Sequence, residues 1–139
     1  MGNNAVTQDL LLLFDAALAA ARDSYSPYSR FPVGAALLME DGNVVTGCNV
    51  ENRSYGLTNC AERTAVFKAV SSGAGSIAAV AIAAPKADYP VGPCGACRQV
   101  LTEFAAAATP VIFGSARENC VVRTLGELYP DDSLHELAE

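Results

Sequence analysis

Two apolar runs, residues 33–39 and 44–50, flank Asp41-Gly42-Asn43. An Asp-Gly turn between apolar runs is a strong signal for a β-hairpin. The chain around it alternates. Residues 8–22 place apolar side chains at helical spacing and are rich in Ala and Leu, which predicts a helix. Residues 24–32 contain Pro27 and Pro32 and are expected to form a loop. Helical spacing returns over 60–70 and ends in the glycines of 71–75. A short apolar run, 77–84, stops at Pro85 and suits a buried strand. A loop over 86–93 leads to a helix expected from about 94 to 107, with the alanine run 105–108 taken as helix-forming. Short strands are expected at 111–113 and 120–122, and helical turns at 125–129 and 134–138. The order α-β-β-α-β-α-β-β-α implies an α/β fold, a mixed sheet with helices on both faces. No internal repeat is visible. At 139 residues, one domain spanning 1–139 is expected.

Composition narrows the classes of function. Charged residues make up 17% of the chain, below the roughly 25% of an average soluble domain, which either extra burial between subunits or a large buried core would explain. The net charge is -6 and the nine Lys and Arg are scattered. A polynucleotide partner needs a clustered basic surface, so nucleic acid is not expected. Residues 1–4 are polar and the apolar run 10–13 is too short to span a bilayer. No targeting or membrane segment is expected, and a cytoplasmic location follows. In a reducing compartment the five cysteines are better suited to metal binding, catalysis or the core than to disulfides.

Three of those cysteines sit in two short motifs, Cys60-Ala61-Glu62 and Pro93-Cys94-Gly95-Ala96-Cys97. Zinc favours thiolate ligands in tetrahedral geometry, and a catalytic zinc site keeps one corner open for water. Cys94 and Cys97 would supply two corners and Cys60 a third. The order of ligand, spacer, non-ligating Glu and then Pro-Cys-x-x-Cys resembles the zinc-dependent nucleobase deaminases, with cysteine as the first ligand. Each motif is expected to open a helix, where free backbone N–H groups and a partial positive charge favour thiolates. Three thiolates on Zn²⁺ leave a net negative charge, and Arg63 is the candidate to offset it by hydrogen-bonding the sulfurs. Cys48 and Cys120 lie in apolar strand-like segments and read as buried thiols. His135, in the acidic tail, reads as solvated surface.

The chain resembles the small homotetrameric cytidine deaminases from about Tyr25 to Phe104. Three segments carry the resemblance: Ser26-Pro27-Tyr28-Ser29-Arg30-Phe31-Pro32-Val33-Gly34-Ala35-Ala36, then Gly47-Cys48-Asn49-Val50-Glu51-Asn52 running on to Cys60-Ala61-Glu62-Arg63-Thr64-Ala65, then Pro93 to Leu101. The resemblance implies a five-stranded mixed sheet in an α/β/α sandwich. It implies zinc, one ion per subunit, on Cys60, Cys94 and Cys97, with Glu62 as the proton shuttle. It further implies that Asn49 and Glu51 hold the ribose 3′-hydroxyl, that Phe31 stacks beside the pyrimidine, and that Tyr55 lies near a neighbouring subunit's site. The implied reaction is hydrolytic deamination of free cytidine and 2′-deoxycytidine in pyrimidine salvage, by a homotetramer whose active sites are completed by neighbouring subunits.

One segment departs from the family pattern. Where the family carries an aromatic residue shortly after a proline near its end, this chain reads Leu128-Tyr129-Pro130-Asp131-Asp132-Ser133. Two rival readings stand beside the main one: a deaminase of a modified cytosine nucleoside or antibiotic, and a non-catalytic zinc-binding assembly protein. The presence of Glu62 argues against the second, because a structural site needs no proton carrier.

Overall fold

The computed structural model describes residues 4–134. Helix α1, Gln8–Ala20, starts at Thr7, whose hydroxyl accepts from the Leu10 N–H at 3.2 Å, and it runs on into a 3-10 turn, Ala21–Asp23. Strands β1, Gly34–Met39, and β2, Val44–Cys48, form the expected hairpin. Gly42 takes a φ of 91° at its turn, in the left-handed region that glycine adopts at little cost. Then follow α2, Ala61–Ser71, β3, Ile77–Ala83, α3, Gly95–Phe104, β4, Pro110–Gly114, β5, Val121–Thr124, and α4, Leu125–Leu128. Leu134 closes the described residues in a turn. His135 and the rest of the helical turn expected over 134–138 lie outside them.

The five strands lie in the order β2-β1-β3-β4-β5. Three of the four neighbouring pairs are antiparallel, and β3 with β4 is parallel. A parallel pair requires a crossover connection, and α3 supplies it. The sheet is mixed, as expected.

Side-chain alternation along the strands separates two cores. Val80 and Ile82 on β3, with Ala35 and Leu37 on β1 and Val111 on β4, pack against Ala65, Val66 and Ala69 of α2 and Leu101 of α3. The opposite face presents Ala79, Ala81 and Ala83 of β3, Ala36 of β1 and Ile112 of β4 to Leu13, Phe14 and Ala17 of α1. Alanine on that face lets α1 approach closely. At Gly34 the approach is closer still, since a β-carbon there would stand 1.9 Å from the Ala17 carbonyl oxygen. With α1 on one face and α2 and α3 on the other, the layers are α/β/α.

The alanine run does not extend α3. The helix ends at Phe104, and Ala105 is extended at φ -139° and ψ 144°, bridged in parallel to Ile77. The Ala107 carbonyl accepts from Gly126 N–H at 2.8 Å, and the Thr109 carbonyl accepts from Leu125 N–H at 2.9 Å. Alanine's helix preference is worth only about a few tenths of a kcal/mol per residue over ordinary residues. Pairing at the sheet end and the seating of α4 outweigh it.

Candidate active site

Two helix N-termini converge on one face of the sheet. Cys60 is the N-cap of α2 and Cys94 the N-cap of α3, both with extended backbone, while Cys97 lies in the first turn of α3. The start of α2 is set by β2: a β-carbon on Gly47 would stand 2.5 Å from Ala65 N and 2.8 Å from Ala61 O. Only a bare backbone at Gly47 allows that approach. Pairing of Val50 with Asn59, through N–H···O contacts of 3.0 and 2.9 Å, fixes the segment that enters the helix.

The three sulfurs form a tight group. Cys60 Sγ is 3.6 Å from Cys94 Sγ, and Cys94 Sγ is 3.5 Å from Cys97 Sγ. All three lie within 4.8 Å of one another. Arg63, one turn into α2, donates from Nη2 to Cys60 Sγ at 3.2 Å, and its buried Nε–H has no hydrogen-bond partner among the described residues. Hydrogen bonds donated by Cys97, Arg63 and Cys94 pull the Cys60 thiol down to about 5, against the opposing effect of its burial. Cys97 is pushed up, first by its hydrogen bond to Cys60 and then by burial. Sulfurs this close share protons, and all three ionise together only when a cation joins them. A set of three soft donors with a guanidinium beside them fits one zinc ion per chain.

Glu62 is 4% exposed. Burial raises its carboxyl to about 7, and the charge of Cys60 adds to that rise. It lines a cavity of about 180 Å³ together with Cys60, Cys94, Val33, Asn49, Thr58, Asn59, Ala61, Ile82, Ala84, Val91 and Gly92. A few polar groups together with apolar Val33, Ile82, Ala84 and Val91 suit a small heterocycle.

A second concavity, about 360 Å³, adjoins through Thr58 and is lined by Tyr28, Ser29, Glu51 and Tyr55. Both expected sugar contacts are also clamps on the 24–33 loop. Asn49 Oδ1 accepts from the Ser24 hydroxyl at 2.5 Å and from Val33 N–H at 2.9 Å, and Nδ2 donates to the Phe31 carbonyl at 2.9 Å. Glu51 Oε1 accepts from Tyr28 N–H and Ser29 N–H at 2.9 and 3.2 Å, while Oε2 accepts from the Ser29 hydroxyl. A carboxylate offers about four acceptor positions, so one stays free for a further donor. The Ser29 hydroxyl, with the two N–H groups, holds the Glu51 carboxyl below its ordinary value.

Phe31 is half-buried beside Asn49 but lines neither concavity. Tyr55 is 74% exposed and meets Tyr28 edge-on, ring centroids 5.8 Å apart. Tyr129 does not reach the cavity, because its hydroxyl donates to Gln99 Oε1 at 2.6 Å. Cys48 and Cys120 stand apart from the sulfur cluster, and burial pushes both thiols up. Sequence reasoning missed Thr58 and Asn59, whose one signal is their place immediately before Cys60. It also missed Arg98, which donates to the Pro93 carbonyl and the Leu128 carbonyl, each at 2.7 Å, and so ties the second cysteine motif to α4.

A family model of the cytidine and deoxycytidylate deaminase zinc-binding region matches residues 7–114, and the chain belongs to that family. A cytidine deaminase of Halalkalibacterium halodurans is 52% identical over 122 residues, 88% of this chain and 92% of its own length. One from Mycobacterium tuberculosis is 49% identical over 115 residues, 83% of this chain and 82% of its own. Among solved structures, a cytidine deaminase from Burkholderia pseudomallei superposes with a TM-score of 0.83 at 46% identity, covering 91% of this chain and 98% of that one. The expected fold and the three-cysteine type of zinc site stand.

Proposed function

We propose that this protein is a zinc-dependent hydrolase that converts free cytidine and 2′-deoxycytidine to uridine and 2′-deoxyuridine with release of ammonia, as part of pyrimidine salvage. One observation carries the reading. Glu62 is buried in a small cavity two residues from the first of three clustered sulfurs, and a structural zinc site has no use for a buried carboxyl there.

Cys60, Cys94 and Cys97 would hold the ion. When bound, zinc supplies a Lewis acid that lowers the pKa of a coordinated water toward roughly 7. Glu62 takes a proton from the attacking water and gives it to ring N3, which makes C4 electrophilic. The same carboxyl then carries the second proton to the departing amino nitrogen, so that water and cytidine leave as uridine and ammonia. Proton transfer of this kind is worth about 10²–10⁴-fold. Arg63 offsets the negative charge of the sulfurs. Asn49 and the free acceptor position of Glu51 receive the ribose 3′-hydroxyl, and a carboxylate there repels a 3′-phosphate, which excludes polynucleotides. Phe31 takes its place beside the pyrimidine when substrate is bound.

The working unit is a homotetramer of one-domain chains (residues 1–139) in the cytoplasm. Tyr25, Tyr55, Leu57 and Phe67 are each more than half exposed, and covering them by neighbouring copies would place Tyr55 at an adjacent site. Among the described residues, no helix is long and apolar enough to cross a membrane.

Loss of cytidine's near-ultraviolet absorbance on adding zinc-loaded protein, with Glu62→Gln in parallel, tests the reaction. Turnover by the native protein alone, at equal zinc content, is the expected result. Absence of turnover in both, with zinc bound, would redirect the assignment to modified cytosine nucleosides.

A further inference from the structure

Against the 24–33 loop lies a further concavity of about 460 Å³ lined by Arg22, Arg30, Lys86, Ser24 and Ser26, with Ala21 and Pro32. It is the reverse of the molecule's overall charge: in a chain of net charge -6, no carboxylate lines it among the described residues. Most other cations are engaged. Arg63 serves Cys60, Arg98 two carbonyls, Arg117 pairs with Asp15 at 2.7 Å, and Arg123 donates to the Val122 carbonyl. Of the nine Lys and Arg, the three that line this cleft have no side-chain hydrogen-bond or ion-pair partner among the described residues, and Arg53 and Lys68 are the others in that state.

Three unpaired cations in one concavity repel one another unless an anion joins them. Ser24 donates to Asn49 Oδ1, so the 2.9 Å contact between Ser26 Oγ and Ser24 Oγ takes the Ser26 proton, which leaves the three cations to meet a guest. Arg30 is held at φ 56° with its N–H on the Ser26 carbonyl at 2.9 Å, a left-handed conformation uncommon for a side chain without a local hydrogen-bonding group. Guanidinium groups bind carboxylate and phosphate alike through paired N–H···O contacts, and of the two a phosphate brings the larger negative charge to a group of three cations.

We infer that this cleft binds a phosphate group, either free inorganic phosphate or the terminal phosphate of a small phosphomonoester, through Arg22, Arg30 and Lys86. A polynucleotide would need a basic track, and this one is a single isolated concavity on an acidic protein.

Calorimetric titration of the full zinc-loaded chain with sodium phosphate and, separately, with ribose 5-phosphate tests the site without relying on turnover. Saturable binding is expected for at least one of the two. The tighter of them identifies the source of the phosphate. The double variant Arg22→Gln/Lys86→Gln should bind about tenfold or more weakly, the loss of one or two charge-assisted contacts. The control Arg53→Gln/Lys68→Gln, with the same change in net charge, should bind as the native protein does. All four positions are exposed, and circular dichroism confirms that both variants fold. No saturable binding, equal weakening in both double variants, or tighter binding of a single-stranded oligonucleotide than of either small ligand would overturn the proposal.

Discussion

Gly47 of β2 lies beneath the first turn of α2, so close that a β-carbon on it would stand 2.8 Å from the carbonyl oxygen of Ala61. Ala61 separates Cys60 from Glu62, so the height of the first zinc-ligand candidate and of the buried carboxyl above the sheet is set by a missing side chain. Gly47→Ala must push α2 outward, because the atoms it meets are backbone. Overpacking of this kind costs about 1–3 kcal/mol. Chemical denaturation should show that loss. Deamination should fall by more than the folded fraction does, since the Cys60–Cys94 spacing changes with it. A variant that is destabilised yet fully active per folded molecule would show that the site tolerates movement of α2.

Arg63→Ala removes the 3.2 Å hydrogen bond to Cys60 Sγ and the positive charge nearest the sulfurs. Groups that hold metal ligands from outside typically contribute 10–100-fold to affinity or activity. A loss on the order of tenfold is expected in kcat/KM or in zinc affinity measured against a competing chelator. Arg63→Lys should recover part of it by restoring the charge without the fork. Full activity with unchanged zinc affinity in the alanine variant would remove Arg63 from the site's chemistry.

The parts of this molecule that follow from local chemistry were legible in the chain. Asp41-Gly42 placed the hairpin because its turn needs a positive φ at a known position. Cys60 and Cys94 announced two helix starts because ligand spacing and N-terminal electrostatics coincide there. Other features depend on contacts far apart in sequence and left no local trace. Glu51 reaches back to Tyr28 and Ser29, Arg98 reaches forward to Leu128, and Gly34 and Gly47 matter only because particular helices lie on them. Ala105 shows the converse. Its intrinsic preference pointed to helix, and pairing with Ile77, 28 residues earlier, decided otherwise.

The Glu51 clamp gives stability a pH dependence with a definite sign. Its carboxyl is held below 4.5 in the folded protein, mainly by the Ser29 hydroxyl and also by the Tyr28 and Ser29 N–H groups. The unfolded chain therefore binds the proton first as pH falls. The contribution is complete above pH 4.5 and is lost as the pH drops through the lower folded value. The stability difference between the native protein and Glu51→Gln should be largest near neutrality and shrink below pH 4.5. Ser29→Ala should raise the folded carboxyl toward its ordinary value and narrow that window. A difference that does not change with pH would mean that the clamp acts through packing alone.

The Tyr129 hydroxyl is spent on Gln99 of α3 at 2.6 Å, and Arg98 beside Gln99 holds the Leu128 carbonyl. The segment before Pro130 therefore locks α4 to α3, and its aromatic ring is not available as a cover for the cavity on the same chain. Tyr129→Phe removes one hydrogen bond and little else. It should lower stability by about 0.5–1.5 kcal/mol and leave kcat/KM for cytidine unchanged. Denaturation curves and steady-state rates on the same preparations separate the two effects. Normal stability with a raised KM would instead place Tyr129 in substrate enclosure, supplied across a subunit boundary in place of the aromatic residue this chain lacks after Pro130.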